Sequence, residues 1–251
     1  MMKKLKVMSV VGTRPEIIRL SRVLAALDQY CDHVLVHTGQ NYDYGLNQVF
    51  FDDLGVRKPD FFLNSAEGST GAANTIGNLI TGVDGVLAQV QPEAMLVLGD
   101  TNSCLSVIPA KRRKVPIFHM EAGNRSFDRN VPEETNRKLV DHIADFNLVY
   151  TEHARRHLLS EGIQHRRIYL TGSPMREVLD HYRPLIAQSE VVDRMGLKRR
   201  GYFIVSLHRE ENVDNSARLL QLADTLDALA AAHSMPVIVS THPRTRKRLD
   251  S

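Results

Sequence analysis

Short, continuously apolar runs alternate with helix-length segments along most of this chain, and that alternation leaves few folds open. The runs are Leu5–Val11, His33–Thr38, Ala94–Leu98, Val115–Phe118, Asn147–Tyr150 and Arg167–Leu170. Between them, residues 15–27, 44–54, 72–90, 103–113, 133–144 and 152–160 carry helical spacing. Strands that are apolar throughout, separated by helices, imply a parallel sheet covered on both faces. The expected fold class is therefore α/β, with residues 1–172 as a first domain.

Gly172-Ser173-Pro174 breaks the pattern, and the charged stretch 173–200 reads as a linker. A new unit starts at Gly201, with a strand at Tyr202–Leu207, a helix at Asn215–Ala232 and a strand at Pro236–Ser240. Residues 201–251 thus hold one βαβ unit. Two parallel strands cannot cover their own core, so either this piece packs on the first domain or the chain is shorter than its parent fold, and the second is expected. The terminal Arg244–Arg248 run reads as a solvated helix start.

Composition narrows the function. A net charge of +3 over 251 residues argues against a dedicated nucleic-acid binder but allows a local arginine site for a phosphorylated metabolite. Leu5–Val11 is too short to span a membrane and leads into a Gly-Thr-Arg-Pro-Glu loop with no cleavage pattern. A cytoplasmic protein with no membrane partner is expected. Cys31 and Cys104 form neither a disulfide framework nor a metal quartet. His153 and His157 are spaced one helical turn apart but have no evident third ligand, so no metal is expected.

Four segments concentrate ionisable groups at strand ends. Val11–Glu16 follows the first strand, and Pro15 suits a helix start. Arg14 there reads either as an anion contact beside a helix N-terminus or as an exposed turn residue. Arg19, one turn on, faces back towards the loop or lies on the surface. Leu98–Asn102 ends a strand, so Asp100 is either a helix cap or an acid/base group, and Glu121 should be its neighbour at the end of the next strand. The segment from Phe118 to Lys138 gathers His119, Glu121, Arg125, Glu133, Glu134 and Arg137. Glu133 and Glu134 also complement a helix dipole and can pair with Arg137 and Lys138. Ser206–Asn212 ends the second unit's first strand with His208 and Arg209, and Thr241-His242 repeats the arrangement one strand later.

Together these segments resemble the non-hydrolysing UDP-N-acetylglucosamine 2-epimerase family. The resemblance rests on Gly12–Glu16, Gly99–Thr101, Glu121–Gly123 with Arg125, Pro132–Glu134 with Asn136-Arg137, Thr171-Gly172, and His208-Arg209 with Glu211-Asn212. It implies a glycosyltransferase-B-like fold of two Rossmann-like parallel-sheet domains, the second incomplete here, with a UDP-sugar in the cleft between them. It implies a mechanism as well: a base removes the C2 proton, UDP leaves C1 to give a 2-acetamido-glycal, and UDP adds back while C2 is reprotonated on the other face. By the resemblance, Asp100, Glu121, Glu134 and His208 form the catalytic set. Arg14, Arg19, Arg125, Glu133, Arg137, Arg209, Asn212 and His242 bind substrate. No cofactor or metal is required, and a homodimer is implied.

The family's usual first-helix lysine is Arg19 here. The segment Asn124–Asp128 resembles the branch that converts UDP-2-acetamido-2,6-dideoxy-L-talose to UDP-N-acetyl-L-fucosamine, a capsule and O-antigen precursor. The same residues leave open a UDP-N-acetylglucosamine 2-epimerase, a glycosyltransferase-B sugar transferase, or an inactive fragment.

Overall fold

A computed structural model describes residues 3–39, 50–207 and 215–241. The chain divides into two compact units, Met1–Arg183 and Pro184–Ser251.

The first unit is built on a seven-stranded sheet in the order β3-β2-β1-β4-β5-β6-β7. Its strands are β1 Lys6–Val11, β2 Asp32–His37, β3 Phe61–Phe62, β4 Ala94–Leu98, β5 Ile117–Met120, β6 Phe146–Val149 and β7 Ile168–Leu170. All six pairings are parallel. The helices are α1 Arg14–Tyr30, α2 Ala72–Val90, α3 Val107–Arg112, α4 Pro132–Ile143, α5 Glu152–Ser160 and α6 Met175–Ala187.

Strand alternation sorts the core into two layers. Met8, Val10, Met95, Val97 and Ile117 face α2, α3 and α4 through Val83, Leu87, Val107 and Val140. Val11, Leu96, Leu98 and Met120 face α1 through Ile17, Leu20 and Leu24. Both faces are covered, which is why these strands read as unbroken apolar runs. Strand order reverses between β1 and β4. In a doubly wound sheet the crevice outside the carboxyl ends at that reversal is where ligands bind.

Three differences from the sequence expectation have local causes. Strand β3 is a two-residue edge pairing, too short to show a periodicity. The expected helix at 103–113 is a 3₁₀ turn, Asn102–Ser106, followed by α3. Pro109 fits the first turn of α3, where its missing N–H would have no partner anyway. The first compact unit continues beyond residue 172, because Val178 and Tyr182 on α6 are buried and the Tyr182 hydroxyl donates to the Leu54 carbonyl at 2.5 Å. The expected helix at 44–54 lies mostly outside the described residues.

The second unit has helix α7 Val191–Arg194 and a βαβ of β8 Phe203–Leu207, α8 Ser216–His233 and β9 Val237–Thr241. Strands β8 and β9 are parallel, with Phe203 opposite Val237. The Asn215 side chain caps α8 by accepting from the Arg218 N–H at 3.1 Å. Among the described residues, no helix is long and apolar enough to cross a membrane.

Candidate active site at the carboxyl edge of the sheet

The turn after β1 can only be glycine. A Cβ on Gly12 would sit 1.9 Å from the Ser103 hydroxyl and 2.2 Å from that of Thr38. The next turn is organised by Glu16, which is 2% exposed. Its carboxylate accepts from the Gly12 N–H at 2.8 Å, the Thr13 N–H at 2.7 Å and the Thr13 hydroxyl at 3.0 Å. The other oxygen accepts from the Thr101 hydroxyl at 2.8 Å, tying this turn to the one after β4. Burial raises the Glu16 pKa above its ordinary value, against the pull of those hydrogen bonds. Glu16 was missed as a site-building residue, although Thr13-x-x-Glu16 is the spacing of a capping box. Arg14, half-buried at the helix start, lies over the Phe50 ring at 5.7 Å.

After β4, Gly99 takes a left-handed φ of 79° and Asp100 follows it. Thr101 caps the 3₁₀ turn by accepting from the Ser103 N–H at 3.2 Å. Capping is therefore the task of Thr101, and the Asp100 carboxylate is free to pair with Arg137. The Asn136 side chain donates to the Asp100 carbonyl at 3.0 Å and to Asn102 at 3.1 Å.

After β5, Glu121 has a φ of 66°, a conformation costly for a residue with a side chain. Its carboxylate is 14% exposed and meets Arg19 Nη1 at 2.6 Å. Burial raises its pKa; the Arg19 charge opposes this and the Asp100 charge adds to it. Glu121 and Asp100 thus feel each other's charge at neighbouring strand ends. Tyr150, just past β6, belongs to the same neighbourhood: burial, reinforced by the Glu121 charge, pushes its phenol upwards. Its buried hydroxyl has no hydrogen-bond partner among the described residues.

Helix α4 supplies the third carboxylate. Glu134 is 2% exposed. It accepts from the Ser126 N–H at 2.9 Å, the Ser126 hydroxyl at 3.1 Å and Arg137 at 2.8 Å, with Lys138 at 3.6 Å. Burial raises its pKa, but Ser126, Arg137 and Lys138 outweigh this and hold it low. Arg137 therefore bridges Glu134 and Asp100. Glu133, one residue earlier, is exposed.

The Arg125 side chain is 0% exposed and spans Asp141 at 2.7 Å and Glu161 at 2.6 Å. Its guanidinium is thus enclosed and paired on both sides. Asp141 is the residue that sequence reasoning missed there. Its signal was the helical spacing Glu134, Arg137, Asp141 on one face of α4. The structure gathers Arg14, Arg19, Asp100, Glu121, Glu134 and Arg137 at one edge of the sheet; His208, Arg209, Asn212 and His242 lie outside the described residues.

A doubly wound parallel sheet with carboxylates at its carboxyl edge, followed by a βαβ unit, defines an α/β chain of glycosyltransferase-B-like class. Comparison with known proteins then identifies the family. Residues 25–251 match the family described as UDP-N-acetylglucosamine 2-epimerase, and the chain belongs to that family. It is 36% identical over 250 residues to the UDP-N-acetylglucosamine 2-epimerase of Methanocaldococcus jannaschii, covering 98% of this chain and 68% of that protein. It is 34% identical over 248 residues to the UDP-2,3-diacetamido-2,3-dideoxy-D-glucuronate 2-epimerase of Pseudomonas aeruginosa, covering 96% and 68%. A solved UDP-N-acetylglucosamine 2-epimerase from Rickettsia bellii shares 51% identity and a TM-score of 0.90, covering 99% of this chain and 65% of that one. The M. jannaschii enzyme, solved in complex with UDP-GlcNAc and UDP, gives a TM-score of 0.88 at 35% identity, covering 98% and 68%. The chain thus spans 65 to 68% of the length of these relatives.

Proposed function

We propose that the protein is a UDP-sugar 2-epimerase, inverting C2 of a UDP-2-acetamido sugar. The observation that carries this reading is the pair Asp100 and Glu121. They stand at the ends of adjacent strands whose last residues, Leu98 and Met120, are in register, and each faces its own arginine. Inversion at C2 needs two acid/base groups, because the proton leaves one face and returns to the other. One carboxylate takes the C2 proton. The C1–O bond breaks with its electron pair going to the β-phosphate of UDP, and C1 and C2 become doubly bonded. The oxygen of UDP then re-forms its bond to C1 while C2 takes a proton from the opposite side.

Arginine suits the supporting role, since it stays charged and does not exchange protons at neutral pH. The raised pKa of Glu121 supports its use as a proton carrier. Arg14, beside the α1 N-terminus, and His208 of the catalytic set are the proposed diphosphate contacts, with Arg209, Asn212 and His242 completing substrate binding. Glu133, in the first turn of α4, is kept as a rim contact. Metal and redox cofactors have no place in this chemistry. A cytoplasmic homodimer belongs to the same proposal.

The sugar is proposed as a UDP-2-acetamido hexose. The Asn124–Asp128 segment favours UDP-2-acetamido-2,6-dideoxy-L-talose, giving a capsule or O-antigen precursor; the relatives named for UDP-N-acetylglucosamine favour that substrate. Incubation with each nucleotide sugar separately, followed by NMR of the products, decides. Inversion at C2 of one of them with UDP as a minor product supports the reading. Sugar transfer to an acceptor with C2 untouched would sink it.

A further inference from the structure

We propose that His119 and Asp141 form a buried brace that sets the spacing of the Asp100 and Glu121 carboxylates, a positioning pair that does not touch the sugar. The inference rests on the epimerase reading for its catalytic consequence, though not for its geometry. Both side chains are 0% exposed. His119 Nε2 lies 2.8 Å from the Gly99 carbonyl oxygen. A carbonyl only accepts, so Nε2 carries a proton and donates. That carbonyl belongs to the peptide leading into Asp100.

On its other side, His119 Nδ1 is 2.9 Å from Asp141 Oδ1, at ion-pair distance but not aligned as a hydrogen bond. Both Asp141 oxygens accept from the Gly123 N–H at 3.2 Å. Gly123 comes two residues after Glu121, and its φ of 77° closes that turn. A Cβ on Gly123 would meet the Ala154 carbonyl at 2.4 Å, so the turn packs closely against α5 there. One imidazole and one carboxylate therefore tie the turn bearing Asp100 to the turn bearing Glu121.

The sheet alone does not do this. The last backbone bond between the two strand ends is Gly99 N–H to the Met120 carbonyl at 3.0 Å. Beyond it both chains leave the strand through left-handed residues, Gly99 and Glu121. The His119–Asp141 pair is the next link outward. Stability gives little reason for it: a buried ionic cluster is often matched or bettered by apolar residues of similar volume. Its members Arg125, with 0% side-chain exposure, and Glu161 anchor Asp141 from behind. In a dry interior such bonds are stiff, and stiffness is what an acid/base pair needs.

The test uses the full chain and two variants. His119→Leu removes both contacts. His119→Gln keeps a donor at similar reach to Gly99. Carboxylate carbon NMR of Asp100 and Glu121 reports their surroundings with or without turnover. Deuterium uptake at C2 of UDP-N-acetylglucosamine in heavy water reports the reaction, and calorimetry reports UDP affinity. The brace predicts that His119→Leu shifts both carboxylate resonances and slows C2 exchange on the order of 100-fold with UDP affinity unchanged. His119→Gln recovers most of that loss and returns the Asp100 resonance towards wild type. Unshifted resonances in His119→Leu, equal losses in both variants, or a rate loss that tracks UDP affinity would overturn it. If wild type exchanges no C2 proton, the epimerase reading fails and the resonances alone decide the brace. If His119→Leu does not fold, Asp141→Asn supplies the same readout, with the Glu121 resonance expected to move and an unmoved one counting against the brace.

Discussion

Glu16, Glu121 and Glu134 are one side chain put to three uses, and their neighbours decide which. Glu16 and Glu134 are equally enclosed, at 2% exposure. Yet Glu16 is raised and Glu134 is lowered. Glu16 meets N–H, O–H and S–H dipoles, whereas Glu134 faces the Ser126 donors and the cations of Arg137 and Lys138. At Glu16 burial outweighs the hydrogen bonds, whereas at Glu134 the Ser126 hydrogen bonds, joined by the Arg137 and Lys138 charges, outweigh burial. Glu121 is raised by burial and by the Asp100 charge, against Arg19 in contact and Arg137 further off. Removing the contacting arginine in Arg19→Ala should raise the Glu121 pKa further. If Glu121 acts as the base, the acid limb of the C2-exchange pH profile then moves to higher pH; an unmoved limb would count against that role. Glu16→Ala should cost about 3 kcal/mol or more in urea unfolding, because several buried donors lose their acceptor together. A loss within about 0.5 kcal/mol, the range of ordinary surface changes, would show that the tie between the two turns matters little.

At the scale of elements, α4 works as a clamp. Its first turn holds the Ser126 segment through Glu134, its middle holds Asp100 through Arg137, and its far end holds the Gly123 turn through Asp141. The folded pKa of Glu134 lies below its ordinary value of 4.5. Its contribution to stability is therefore complete above that value and lost as pH falls through the depressed one. Glu134→Gln should flatten the acid arm of stability against pH, read from urea midpoints between about pH 5 and 3. A variant that loses stability as steeply as wild type would contradict the assignment. The central strands were legible because their apolar runs are continuous. Asp100 and Glu121 stood out because each lies within three residues of the end of such a run. The pairing of Arg125 was not legible, because its partners Asp141 and Glu161 lie 16 and 36 residues away. No local spacing encodes such a contact, and the same limit hid the role of His119.

At the scale of the molecule, two units share the chain, and the described carboxylates and arginines of the site all belong to the first. Binding of UDP to the folded chain should add about 2.7 kcal/mol at a concentration 100 times Kd, a clear rise in Tm. No shift at millimolar UDP would mean that this length of chain does not hold the nucleotide. Proton exchange at C2 by Asp100 and Glu121 can be followed by isotope uptake. Wild type, Asp100→Asn and Glu121→Gln are each incubated with a UDP-2-acetamido sugar in heavy water, and deuterium at C2 is followed by NMR. Wild type should take up deuterium, and each variant should lose that uptake on the order of 100-fold or more, with UDP still bound. Uptake at the wild-type rate in either variant would contradict proton exchange by this pair.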